Sequence, residues 1–225
     1  MKQESPWELP RPPSFPSLHA DAQTEVLIVG GGITGVTAAY LLSKAGHAVT
    51  LVEKARLCGG ETKFTTAHIS YPTDMRMRDL VKKFGDNHAG AVWDACQSAA
   101  EQIRRNICHE EIDCGYGHVP GYLYAANDAS TEVDHLQEDA ELAHQMGFDA
   151  EFLPSCPVTN RPAVRFANLM KFHPMRYVLR LAEAAQKAGC HIHEESEVKE
   201  FDSENHAVRC NGHRITYQHV FIATH

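Results

Sequence analysis

Val26-Leu27-Ile28-Val29-Gly30-Gly31-Gly32-Ile33-Thr34-Gly35 is the stretch that decides the fold of this chain. An apolar run ends in Gly30-x-Gly32-x-x-Gly35 and passes directly into an Ala-rich helical pattern over residues 36–45, which Gly46 stops. A second apolar run, residues 48–52, then ends on Glu53. This is a complete βαβ dinucleotide-binding unit. Gly30 permits the tight turn, Gly32 lets the backbone approach a pyrophosphate, and Gly35 lets the helix pack closely on the strand. The start of the helix offers free N–H groups and a positive dipole end to phosphates. Glu53 is placed to accept hydrogen bonds from ribose hydroxyls, and its charge disfavours a 2′-phosphate. A glycine fingerprint alone is weak; framed by two strands, a helix stop and an acid, it is specific.

The chain has 225 residues, enough for one large or two small domains with ample core. With 43% hydrophobic and 22% charged residues, its composition is that of a globular protein. A net charge of -8 argues against a nucleic-acid or anionic-membrane partner. No apolar run approaches the ~20 residues that span a bilayer. A proline-rich arm between Pro6 and Pro16 occupies the place where a signal peptide would need an apolar core. Seven cysteines form an odd set without a C-x-x-C pair, which fits reduced thiols in the cytoplasm better than disulfides or zinc. His191-x-His193 would share a strand face, but no third ligand stands nearby, so no metal site is expected.

Residues 1–24 read as an extended arm, held to the body by Trp7, Phe15 and Leu18. After the βαβ unit comes a Gly/Thr-rich loop, residues 56–73. Helices are expected over 75–84, ending at Gly85, and from an Asn87 cap through Ile107, the latter with an ordinary core stripe. Residues 116–125 read as strand, 131–146 as helix, and 153–162 as Pro-rich irregular chain. Pro174 suits the first position of a helix that closes at Gly189. Four strands follow, over 191–198, 207–210, 214–217 and 220–224, with Asn211-Gly212 as a hairpin turn. The last of these is an apolar strand with only His225 beyond it, and the chain reads as cut short.

The βαβ unit, Thr65-Thr66-Ala67-His68, Tyr122-Leu-Tyr-Ala125, Phe172-His173-Pro174 and Ile222-Ala223-Thr224 occur in that order. As a set they resemble the FAD-dependent oxidoreductases of the D-amino acid oxidase/glycine oxidase superfamily. The similarity is greatest to the branch with a C-terminal Rieske [2Fe–2S] domain, and the arm itself, Ser5-x-Trp7 through Phe15-Pro-x-Leu18, is similar to that branch. The resemblance implies an α/β fold, a Rossmann-type FAD domain carrying part of an inserted α+β substrate domain. It divides the chain into a first FAD part at 25–112, a partial substrate domain at 113–171 and a second FAD part at 172–225. It further implies that Gly30, Gly31, Gly32, Ile33, Thr34 and Gly35 hold the FAD pyrophosphate, and that Glu53 with Lys54 holds the adenosine ribose. Thr62, Thr65, Thr66 and Ala67 would run beside pyrophosphate and flavin. Val198 would meet adenine through its backbone, with Ala223 and Thr224 at a second strand end near the cofactor. Glu61 and Lys63 depart from the pattern, standing where relatives generally carry small or hydroxyl residues; Lys63 would have to neutralise Glu61 near a diphosphate. A Rieske cluster would belong only to a C-terminal domain that this chain lacks, since the cysteines here do not match Rieske spacing.

The activity implied is oxidation of a C–N bond of a small amine or amino acid by hydride transfer to flavin. Two other readings compete: a non-catalytic flavin-binding fragment, and an NAD-dependent dehydrogenase, which requires β-α alternation to continue beyond Glu53. No catalytic acid or base stands out. His173 and His68 are weak candidates, and helix capping or packing explains either equally well. Substrate identity and oligomeric state are not legible.

Overall fold

The computed structural model of the protein describes residues 5–126 and 130–224. In chain order the first elements are β1 (Ala22–Val29), α1 (Ile33–Lys44), β2 (Val49–Val52), a 3-10 turn (Glu61–Phe64) and β3 (His68–Ile69). Then come α2 (Met77–Phe84), α3 (Asp86–His109), β4 (Gly117–Tyr124), α4 (Ser130–Gln145), β5 (Ala150–Leu153) and β6 (Ala163–Lys171). The last are α5 (Pro174–Lys187), β7 (His191–His193), β8 (Val198–Asp202), β9 (Ala207–Cys210) and β10 (His213–Ile222). The chain divides into two compact units, one of residues 1–66, 106–114 and 173–225, the other of residues 67–105 and 115–172.

The first unit is built on a six-stranded sheet ordered β7-β2-β1-β10-β9-β8. β1 lies parallel to β2 on one side, with Val26 opposite Val49, and parallel to β10 on the other, with Ala22 opposite Ile215. Its second half is buried on both faces, as expected of a central parallel strand, and Leu27, Val29 and Val52 pack against Val208, Ile215 and Tyr217. The Asn211-Gly212 turn is as expected: φ values of 50° and 82° give the left-handed pair that a two-residue hairpin requires. The two strands expected at 214–217 and 220–224 are instead a single strand, β10, that pairs antiparallel with β9 at its start and parallel with β1 along its length. One side of a strand can satisfy each geometry separately, so nothing forces a break at Gln218-His219.

The second unit has an antiparallel sheet ordered β3-β6-β4, with β5 also paired to β6. Its core gathers Tyr71, Trp93, Phe148 and Phe166 with Leu136 and Leu80. Two sequence expectations are corrected here. Residues 163–171, given no structure from sequence, form the sheet's most connected strand. Asn87 lies inside α3 rather than capping it, and the Ala89 N–H already bonds the Gly85 carbonyl at 3.0 Å. Residues 67–105 fall in this second unit, where α2 and α3 bury Met77, Leu80 and Trp93 in its aromatic core.

Candidate functional site

The turn from β1 into α1 is shaped by three glycines that no other residue can replace for separate reasons. Gly30 has φ of 114°, and a Cβ there would lie 2.5 Å from the Ala223 carbonyl oxygen. A Cβ on Gly31 would collide with Leu57 and Glu53, and one on Gly35 would stand 1.9 Å from the Gly30 carbonyl oxygen. Gly32 differs: its missing Cβ would meet only Thr62 Oγ1, at 3.3 Å, so that face opens onto space. Gly32 is also the N-cap of α1. Gly32 has no side chain with which to cap the helix, and no acidic residue sits in its first turn. The N–H groups and positive dipole end of a helix start suit an anion.

That space is a cavity of about 430 Å³. Gly30, Gly31, Gly32, Ile33, Thr34, Glu53, Lys54, Thr62, Val198, Ala223 and Thr224 all line it. The sheet order explains the convergence, because β1, β2 and β10 are adjacent and parallel and so deliver their C-terminal ends to one edge. Gly35 sits behind the cavity, holding α1 against the strand. Thr65, Thr66 and Ala67 do not line the cavity: the first two are exposed and the third is buried with φ of 61°. His68 pairs with Lys171 in the second unit's sheet. His173 caps α5, its Nδ1 accepting the Arg176 N–H at 3.3 Å, and its ring stands edge-on to Trp7 at 5.3 Å. Burial, then the nearby Arg176 charge, holds its pKa below the usual histidine value.

Glu53 is fixed before any ligand arrives. Its Oε2 accepts the Gly31 N–H at 2.7 Å and its Oε1 accepts the Ala55 N–H at 3.0 Å. A carboxylate has about four lone-pair sites, so two remain for ribose hydroxyls. Thr62 Oγ1 accepts the Ile33 N–H at 3.2 Å, which ties the 3-10 turn to the first turn of α1. The Lys63 ammonium lies over the Phe64 ring at 5.1 Å, and Lys54 is the basic residue among those lining the cavity. Cys58, also at the cavity wall, is held as a neutral thiol: burial, then the charges of Glu53 and Glu194, pushes its pKa up to about 12.

Two contributors escaped sequence reasoning. Glu194, fully buried, accepts the Leu57 N–H at 2.7 Å and the Phe15 N–H at 2.9 Å, and pairs with Arg56 at 3.2 Å. Ser196 Oγ accepts the Leu18 N–H at 2.9 Å and donates to the Glu194 carbonyl at 2.8 Å. Nothing in the acidic run His193-Glu-Glu-Ser-Glu197 sets Glu194 apart from Glu195 and Glu197 in sequence; only burial does.

Residues 25–225 match the family described as DAO, FAD dependent oxidoreductase. The chain belongs to that family. It is 34% identical over 186 residues to YhfW of Bacillus subtilis (strain 168), named as a Rieske 2Fe-2S iron-sulfur protein, covering 82% of this chain and 36% of that one. It is 27% identical over 221 residues to gamma-glutamylputrescine oxidoreductase of Escherichia coli (strain K12), covering 93% of this chain and 50% of that one. Among solved structures it resembles L-proline dehydrogenase from P. horikoshii, with a TM-score of 0.72 at 21% identity over 91% of this chain and 53% of that one. The chain thus spans about half or less of the length of these relatives. The family is described as one of FAD-dependent oxidoreductases, and the expected α/β fold with its parallel sheet stands. Continued β-α alternation after Glu53, which an NAD-dependent dehydrogenase requires, is absent from the described residues, where an antiparallel sheet intervenes. No described helix is long and apolar enough to cross a membrane.

The cavity fits the family's cofactor. The open face at Gly32 beside a helix N-terminus matches a diphosphate, and the prefixed carboxylate at the end of β2 matches a ribose.

Proposed function

We propose that this chain is the FAD-holding part of an oxidoreductase that oxidises the C–N bond of a small amine or amino acid. The observation that carries the reading is the pairing of Gly32, whose absent side chain leaves room at the start of α1, with Glu53, locked by the Gly31 N–H at the same cavity. Gly30 to Thr34 would hold the pyrophosphate, Glu53 and Lys54 the adenosine ribose, and Val198 the adenine edge through its backbone. Ala223 and Thr224 would lie along the next stretch of the cofactor. Thr62 supports this wall by fixing the Ile33 N–H. When bound, FAD supplies the hydride acceptor for oxidation of the C–N bond to an imine, which water then hydrolyses. The amino-compound class is supported by relatives named as acting on such molecules, including gamma-glutamylputrescine oxidoreductase and L-proline dehydrogenase. His173, occupied as a helix cap, serves structure in this reading, as does His68.

The test is retention of flavin. The purified chain is mixed with FAD, freed of unbound cofactor by gel filtration and scanned in the visible. Bound oxidised flavin absorbs there, and FAD should be retained while NADP is not, since Glu53 repels a 2′-phosphate. Elution without flavin absorbance, or tighter binding of NADP than of FAD, overturns the assignment.

A further inference from the structure

The N-terminal arm makes polar contacts at three places on two connections, the one after β2 and the one after β7, and both connections supply wall residues to the cavity. At its start, Ser5 Oγ donates to the Lys63 carbonyl and Trp7 Nε1 donates to the Thr65 carbonyl at 2.9 Å. These bonds grip the turn that carries Glu61 and Thr62. In the middle, the Pro13 carbonyl accepts Arg56 Nη2 at 3.0 Å, next to the loop that carries Glu53, Lys54 and Cys58. At its end, Phe15 and Leu18 are buried, and their N–H groups bond Glu194 and Ser196, beside Val198. Between Trp7 and Arg56 the arm borders an open groove of about 1110 Å³. It is therefore fastened at separated points rather than packed along its length.

We propose that the arm is a brace that presets the cofactor cavity, with Trp7 a positioning residue for the 61–66 wall. Two of the stretches it binds are already tied to each other, the Glu195 N–H bonding the Ala55 carbonyl and the Ser196 N–H the Glu53 carbonyl, both at 2.8 Å, and the arm links both of them to the 61–66 turn through one extended segment. Proline stiffens that segment, with five prolines between Pro6 and Pro16, so movement of one wall is resisted by the others. At the 61–66 turn the acceptors are the Lys63 and Thr65 carbonyls, so there the brace fixes chain path, while at its other end the arm bonds the Glu194 and Ser196 side chains. A cavity already in its bound shape does not spend binding energy on ordering its walls. The Thr62 bond to the Ile33 N–H carries the effect to the helix N-terminus, where an anion would sit. Part of this rests on the FAD reading above; the preset wall itself does not.

The experiment compares the chain with Trp7→Ala and Trp7→Phe by amide hydrogen exchange without cofactor and by FAD titration. Trp7 is half-buried at the surface, so the fold should persist, and circular dichroism verifies it. Trp7→Ala should raise exchange across residues 61–66 and weaken FAD binding roughly tenfold, an effect of lost preorganisation. Trp7→Phe keeps the ring against His173 but loses the indole N–H, and should fall between. Ser5→Ala, which removes one hydroxyl, should give a smaller rise over the same amides. Unchanged exchange over 61–66 in both Trp7→Ala and Ser5→Ala overturns the brace, whether or not the chain binds flavin. Raised exchange with no flavin bound by the parent chain sustains the brace and removes the FAD reading instead.

Discussion

The two units keep their shapes by opposite means. In the first, backbone sets the hardest limits: the missing Cβ atoms of Gly30 and Gly35 would strike carbonyl oxygens at 2.5 and 1.9 Å, while one on Gly31 would strike Leu57 Cδ2 at 2.3 Å. In the second, the tightest glycine contact is with a flexible side chain, Leu169 Cδ1, 2.3 Å from a Cβ on Gly121. There, order comes from rings: Trp93 meets Phe148 edge-on at 5.2 Å and Phe166 at 5.7 Å, while Tyr71 stacks on Phe148. A parallel strand-to-helix turn has no slack for any side chain, whereas an aromatic cluster can repack around a changed one. Intolerance in the first unit should therefore concentrate at positions with no side chain at all, and in the second at the largest ones.

The comparison is broken most directly at Trp93, which is 2% exposed. Trp93→Ala should cost about 3–5 kcal/mol in thermal or urea unfolding. Trp93→Phe should cost less than about 1.5 kcal/mol, because shape is largely kept. The indole N–H it removes has no hydrogen-bond partner in the structure. Equal losses for the two variants would mean that ring packing is not what holds this unit.

Gly35→Ala comes next, with a cost near the upper end of ~1–3 kcal/mol for an added methyl that backbone must move to accept. It should also abolish FAD retention, since α1 cannot keep its place against the Gly30 carbonyl. Gly32→Val sharpens the contrast within one turn. Its Cβ clears everything but a hydroxyl, so unfolding should change little while FAD affinity drops tenfold or more, about 1.4 kcal/mol or more. A Gly32→Val chain that retains flavin as well as the parent places the cofactor elsewhere.

The smallest effect expected is on pH dependence, and it too belongs to the first unit. Burial holds both His173 and His193 below the ordinary histidine pKa. The unfolded chain then binds these protons more readily than the fold does. This contribution to stability is complete above about pH 6.5 and is lost as pH falls through the lowered native values. Tm measured between pH 8 and 5 should decline, and His173→Asn, which retains a capping oxygen, should flatten the slope. A slope unchanged by His173→Asn would show that this ring is not among the groups responsible.

What could be read from sequence follows the same division. Turn geometry and strand ends are local, so Gly30 to Gly35, Glu53 and the Asn211-Gly212 hairpin declare themselves within a few residues. β6 does not. Its burial does not alternate cleanly, Asn168 takes φ of 60° within it, and its partner β4 carries a bulge between Val119 and Gly121. Its strand character comes from having β3, β4 and β5 as neighbours, which no local window contains. Glu194 was illegible for a related reason. A fully buried acid is acceptable only where N–H groups from distant segments, here Leu57 and Phe15, arrive to bond it. Thr65 and Thr66 are residues of a suggestive type that stand exposed, outside the lining of the cavity.

One feature of the sheet bears on how the protein reaches this state. The strand beside β1 is β10, so residues 22–29 wait for residues 215–222, almost the whole chain away. Parallel pairing of such distant segments is slow, because a large loop must close before any bond rewards it. Until then one edge of β1 stays open, apolar and without a partner, and Gly30 lacks the Ala223 carbonyl that its turn is shaped around. The nucleotide fingerprint is thus synthesised well before the strand that completes it as a site.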